Sequence, residues 1–62
     1  MHELGLTMEI VDVVVERAAG RPVRRVRVAV GKLAAVVPDA LRFCFELCTK
    51  DTTAEGAELV VE

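Results

Sequence analysis

The sequence predicts an α+β domain: a two-layer α/β sandwich in the order helix, strand, helix, strand, with two helices packed on a small sheet lacking its third strand. Three observations carry that prediction. Apolar residues recur at helical spacing from Glu3 to Ala19, where residues three and four apart share one face. Two shorter stretches, Val23 to Val30 and Ala57 to Glu62, alternate with a period of two, the signature of half-buried strands. Between them, Pro38-Asp39 opens a second helical run, since proline suits the first helical position and an acid the first turn.

In the first helix the predicted inward stripe is Leu4, Met8, Val11, Val15 and Ala18, with Glu9, Asp12, Glu16 and Arg17 on the polar side. A second apolar edge of Leu6, Ile10, Val13 and Val14 widens the stripe, as expected of a helix lying against a sheet. Gly20 is the natural stop and Pro22 prevents continuation. In the first strand Val26, Val28 and Val30 point one way, while Arg25, Arg27 and Ala29 point the other. Gly31 ends it, and Lys32 to Val37 form a connection. The second helix is expected from about Pro38 to Thr49, inward through Leu41, Cys44 or Phe45, and Cys48. Lys50 to Gly56 read as a polar turn. In the last strand Leu59 and Val61 alternate with Glu58, Val60 and Glu62.

The chain's 62 residues allow a single domain, and one of this size buries only ~60% of its unfolded surface. A hydrophobic content of 53% against 29% charged residues places it among globular chains. Two strands make a poor sheet alone, and the sequence stops within an apolar strand. Residues 1–62 are therefore expected to form one domain that is part of a longer protein or is completed by another chain.

A net charge of −2 gives no general attraction to nucleic acid or to an anionic membrane. There is no apolar run of the ~18 residues a membrane span needs, and Glu3 stands where a signal peptide would carry a basic residue. The expected compartment is the cytoplasm. Cys44 and Cys48 lie four apart, which is not the spacing of a zinc ribbon or redox pair. They read as small apolar side chains.

The chemistry is concentrated at the start. In Met1-His2-Glu3 the terminal amine and the His2 amide nitrogen close a five-membered chelate ring, and imidazole Nδ1 closes a six-membered one. Three nitrogens in a near-planar fan suit Ni(II) or Cu(II), and Glu3, through side chain or backbone, could supply a fourth donor. An acid at this position also suits a helix start with no metal present. Binding needs a neutral imidazole and a deprotonated amine. Reference pKa values of ~6.5 and ~7.7–8 make it weaken as pH falls from 8 toward 6.

Met1-His2-Glu3-Leu4, the Ala19-Gly20-Arg21 helix end and Val28-Ala29-Val30-Gly31-Lys32-Leu33 belong to one pattern. So do Val36-Val37-Pro38-Asp39-Ala40-Leu41-Arg42-Phe43 and Thr53-Ala54-Glu55-Gly56-Ala57-Glu58-Leu59. Over essentially its whole length the chain resembles the HypA/HybF family of hydrogenase-maturation nickel metallochaperones. The resemblance implies nickel delivery to the large subunit of [NiFe]-hydrogenase, with urease maturation in some relatives, in concert with a nickel-handling GTPase. It assigns Met1, His2 and Glu3 as the metal site. Family members continue into a zinc ribbon with two C-x-x-C pairs and return to add a strand. Neither is present in this sequence, so no zinc is expected within it.

Arg21, Arg24, Arg25 and Arg27 form a basic cluster, read either as a docking face for an acidic partner or as a solvated strand face that discourages edge pairing. Stacking aromatics are absent from that strand, so nucleic-acid binding is not expected. There is one histidine and no nucleophile-base set or phosphate loop, so the expected mechanism is binding and transfer, not enzymatic. An unpaired sheet edge also predicts a homodimer or strand exchange. The rival reading is a protein-interaction or dimerisation module whose terminal metal affinity is incidental.

Overall fold

The computed structural model describes residues 3–29 and 36–62. Its elements are α1 (Glu3–Ala18), β1 (Arg25–Val28), α2 (Pro38–Cys48) and β2 (Glu58–Val61), in the expected order. The strands pair in parallel, with Arg25 opposite Glu58, Val26 opposite Leu59, Arg27 opposite Val60 and Val28 opposite Val61. A parallel pair needs a crossover connection, and α2 lies within it. Val26 and Leu59 are buried, while Arg25, Arg27 and Glu58 are exposed on the opposite face. The helices therefore cover one side of the sheet and water the other. The fold is the mixed α+β arrangement read from the sequence.

The core is Val11, Val26, Leu41, Phe45 and Leu59, one or two residues from every element, with Leu6, Ile10, Val14 and Val15 packed partly against it. Leu41 is fully buried, and cutting such a leucine to alanine typically costs roughly 2–5 kcal/mol. On α2 the choice between Cys44 and Phe45 falls to Phe45, which is buried. Cys44 and Cys48 are half-buried free thiols, and Cys48 packs at the core's margin.

Helix α1 is rotated from the expected stripe. Its buried residues are Thr7, Val11 and Ala18, whereas Leu4 and Met8 are about half exposed, at 50% and 53%, and Val13 is exposed at 56%. The centre of the buried face thus falls between the two apolar edges. Burying Thr7 is tolerable because its hydroxyl donates to the Glu3 carbonyl at 2.6 Å, a bond back to the preceding turn. The helix ends one residue early. Ala19 takes the left-handed position at φ 51°, followed by Gly20 at φ 87°. The Arg21 guanidinium donates to the Ala18 carbonyl at 3.1 Å, satisfying one of the carbonyls orphaned by the helix end.

The strands are shorter than the alternation suggested, and Val30 to Ala35 lie outside the described residues, as does most of the expected 32–37 connection. The turn after α2 is built from threonines. Thr49 closes the helix by donating its hydroxyl to the Phe45 carbonyl at 2.8 Å. Thr52 Oγ1 donates to the Thr49 carbonyl at 2.6 Å and accepts from Ala54 N–H at 3.1 Å. The Val23 N–H reaches the Thr53 carbonyl at 2.8 Å, tying this turn to the segment entering β1. Among the described residues no helix is long and apolar enough to cross a membrane.

Candidate metal centre

Of the three expected metal-binding residues, Met1 and His2 lie outside the described residues and Glu3 is placed. It opens α1, where a carboxylate faces the positive end of the helix dipole. Its main chain is held by the Thr7 hydroxyl. Its side chain reaches away from its own helix: Oε2 accepts a hydrogen bond from the Val37 N–H at 3.2 Å.

Val37 is the residue before α2, extended at φ −96°, ψ 113°, as a residue preceding proline must be. A valine side chain offers the helix no capping oxygen, and none is made. Pro38 has no N–H to satisfy. The Glu3 carboxylate fills part of that gap, lying at the entry of α2 as well as at the start of α1. Such a charge-assisted but solvated bond contributes about 0.5–1 kcal/mol. Its more important effect is geometric. It fixes the residue next to the expected chelate against a second helix, through a contact spanning 34 positions. Both roles foreseen for Glu3 concerned its own neighbourhood, and sequence reasoning missed this bond. A helix opening Val-Pro, with no cap of its own, is the one signal that an external acceptor was needed.

Two further observations concern the described residues. Among the described residues no group of three or more His, Cys, Asp and Glu side chains is arranged to hold a metal ion. Within the basic cluster, Arg25 Nε pairs with Glu58 Oε1 at 3.0 Å and Arg27 Nε with Glu62 Oε2 at 3.2 Å, all four side chains being well exposed. On the wet face of β1 the guanidiniums are therefore matched by the carboxylates of Glu58 in β2 and of Glu62 just beyond it. Pairs this exposed contribute at most about 1 kcal/mol each.

Comparison with known proteins agrees with this architecture. A family model described as "Hydrogenase/urease nickel incorporation, metallochaperone, hypA" matches residues 1–62. A Nostoc punctiforme protein named Hydrogenase maturation factor HypA is 52% identical over 61 residues, covering 98% of this chain and 54% of the relative. A Geobacter metallireducens protein of the same name is 50% identical over 62 residues, covering 100% of this chain and 56% of the relative. A Trichodesmium erythraeum protein of that name is 48% identical over 61 residues, covering 98% and 54% respectively. The chain spans about half the length of the curated relatives it matches. With a match running from Met1 to Glu62 and identities near one residue in two, this chain belongs to the HypA family.

Proposed function

We propose that this chain is the nickel-binding part of a metallochaperone for hydrogenase maturation, with urease as the second possible destination. Ni(II) is its cargo. The Met1 amine, the His2 backbone nitrogen and the His2 imidazole hold the ion, and Glu3 completes or supports the site. The observation that carries this reading is the family match across residues 1–62, joined to a Met1-His2-Glu3 start whose donors close five- and six-membered rings. The Glu3–Val37 bond supports a positioning role for the Glu3 carboxylate, since that group already accepts from an amide. The work is binding and release without bond-making, so the chain is not an enzyme. Its partners on this reading are a nickel-handling GTPase and the hydrogenase large subunit, and its compartment is the cytoplasm. No zinc belongs to this stretch of sequence, whose two cysteines are helical and four apart.

Calorimetric titration with nickel at pH 7.5 tests the proposal. One ion per chain is expected, with binding lost both in His2→Ala and when the Met1 amine is acetylated. Equal binding by all three would place the metal elsewhere and favour the rival interaction module, whose docking surface acetylation of the terminus leaves intact. Proton competition sets the pH profile. Affinity should fall at least about tenfold between pH 8 and pH 6, because protonating either the imidazole or the amine removes a donor. Undiminished binding at pH 6 would overturn the chelate.

A second reading, homodimerisation, has its own support. Between α2 and the outer edge of β2 runs a groove of about 740 Å³, lined by Arg42, Glu46 and Thr49 on one wall and by Glu58 to Val61 on the other. A strand from a second copy fits such an edge. Sedimentation equilibrium should show concentration-dependent dimers, and a strict monomer at high concentration would remove this reading.

A further inference from the structure

Helix α2 carries both cysteines of the chain, Cys44 and Cys48. Four positions apart on an α-helix, they lie on one face, one turn above the other. Both are free thiols and both are half-buried. Cys48 packs at the edge of the core, beside the buried Leu41 and Phe45 of the same helix. The pair thus sits on the margin of the helix's buried side, where a small ion has access. Helical χ1 preferences direct both side chains toward the start of the helix.

The spacing decides what the two sulfurs can do together. In a helix, Cβ atoms four positions apart are about 5–6 Å from each other. A disulfide needs them about 3.5–4.5 Å apart. Closing one would distort a turn fixed by the burial of Leu41 and Phe45 and by the Thr49 hydroxyl on the Phe45 carbonyl. A metal bridge has the longer reach. Two metal–thiolate bonds of about 2.3 Å set the sulfurs about 4.6 Å apart across a linearly coordinated ion. Side chains rooted about 5–6 Å apart span that distance with the backbone unmoved.

The donor count narrows the ion. Among the described residues no third His, Cys, Asp or Glu joins the pair to make a group able to hold a metal. Zn(II) in a structural site takes four ligands, and Ni(II) favours a tetragonal set of nitrogen and oxygen donors. Neither is served by two thiolates. Soft thiolate donors select Cu(I), a filled-shell ion that accepts two ligands in a line.

We propose that Cys44 and Cys48 form a Cu(I) site, a linear bis-thiolate bridging one turn of α2. Binding releases the two thiol protons to solvent and forms two copper–sulfur bonds. Neither the metal nor the sulfurs change oxidation state, and the complex carries one negative charge. The chain then sorts metals by softness. Divalent copper binds nitrogen and oxygen sites more tightly than nickel does, so the Met1-His2 donors gain no selectivity against it from affinity alone. The thiol pair holds copper as Cu(I), the state that nitrogen donors favour least. The thiol site stands whether or not the terminal chelate does.

Anaerobic titration of the whole chain with Cu(I), against bicinchoninate as a coloured competitor, tests the assignment. His2→Ala is the background, so that the terminal imidazole contributes nothing. One Cu(I) per chain is expected, with two sulfur neighbours and no nitrogen in X-ray absorption. Cys44→Ser and Cys48→Ser should each weaken binding at least about a hundredfold, since even a supporting residue is worth about 10–100-fold in a metal site. The sharpest variant keeps the number of thiols: Cys48→Ala combined with Glu46→Cys sets the sulfurs two positions apart, where helical side chains do not face each other. It should bind as weakly as the single serine variants, with far-ultraviolet circular dichroism unchanged. Undiminished binding by this relocated pair would show that any two thiols suffice and would overturn the proposal. So would a copper-bridged dimer in sedimentation, a third ligand in the absorption spectrum, or Zn(II) or Ni(II) held by the thiols as tightly as Cu(I). Unaltered nickel stoichiometry in Cys44→Ser with the native His2 would show that the thiol site is separate from the terminal one.

Discussion

The two ends of α2 are closed in opposite ways. At the C-terminal end the helix is finished by its own sequence: the Thr49 hydroxyl returns to the Phe45 carbonyl, and Thr52 takes over the Thr49 carbonyl. Every partner lies within four residues. At the N-terminal end Val37 and Pro38 bring no cap, and the acceptor is Glu3, 34 positions away. Local closure needs only residues within one turn of the helix end. Distant closure exists only when α1 and α2 are docked, and it involves the residue beside the expected metal-binding terminus. One end of α2 is therefore autonomous, and the other depends on events at the start of the chain.

The largest way to break this contrast is at the autonomous end. Thr49 is 1% exposed, so Thr49→Ala loses a buried hydroxyl bond and two side-chain atoms. It should lower unfolding free energy by about 2 kcal/mol in a urea titration. A loss well below 1 kcal/mol would mean that the helix end does not depend on it. At the distant end the effect should be smaller and differently distributed. Glu3→Ala should cost about 0.5–1 kcal/mol but speed amide exchange selectively at Val37 and the first turn of α2. Glu3→Gln, which keeps an oxygen acceptor, should restore much of the protection. If Glu3→Ala accelerated exchange uniformly along α2, the bond would have no local capping role. The smallest expected effect is a gain. Thr53 Oγ1 is buried and has no hydrogen-bond partner among the described residues, so Thr53→Val should stabilise by about 0.5 kcal/mol, because a buried unsatisfied hydroxyl costs more than the methyl replacing it. Destabilisation of similar size would reveal a partner for that hydroxyl.

Legibility follows the same division between local and distant. The start of α2 was readable because Pro38-Asp39 acts within one turn, and so were Val26 and Leu59, because a strand's alternation fixes its faces. Leu41 follows from helical spacing about a single apolar stripe, whereas that spacing left Cys44 and Phe45 as alternatives and packing decided for Phe45. The phase of α1 was not fixed this way. Leu4, Leu6, Met8, Ile10, Val11, Val13, Val14 and Val15 surround much of its circumference, so periodicity alone leaves its rotation open and packing against α2 decides it. That is why Leu4 and Met8 lie outward while Thr7 is buried. At the candidate site the chelating order of Met1-His2 is covalent and needs no fold to be recognised. The Glu3–Val37 contact depends on where α2 begins in space, which adjacent residues do not encode.

The pairing of Arg25 with Glu58 and Arg27 with Glu62 has a consequence beyond its modest energy. Strands of four residues have few side chains to choose between alternative alignments, and a slip of one residue would turn Val26 and Val28 away from the helices. A slip of two keeps the apolar face correct, so burial alone opposes it less. Charge opposes it directly: moving β2 by two residues in one direction sets Arg25 across from Val60, and in the other sets it across from Gly56. In either case a glutamate partner is lost. The wet face thus works as a vernier, whose marks coincide fully at only one setting.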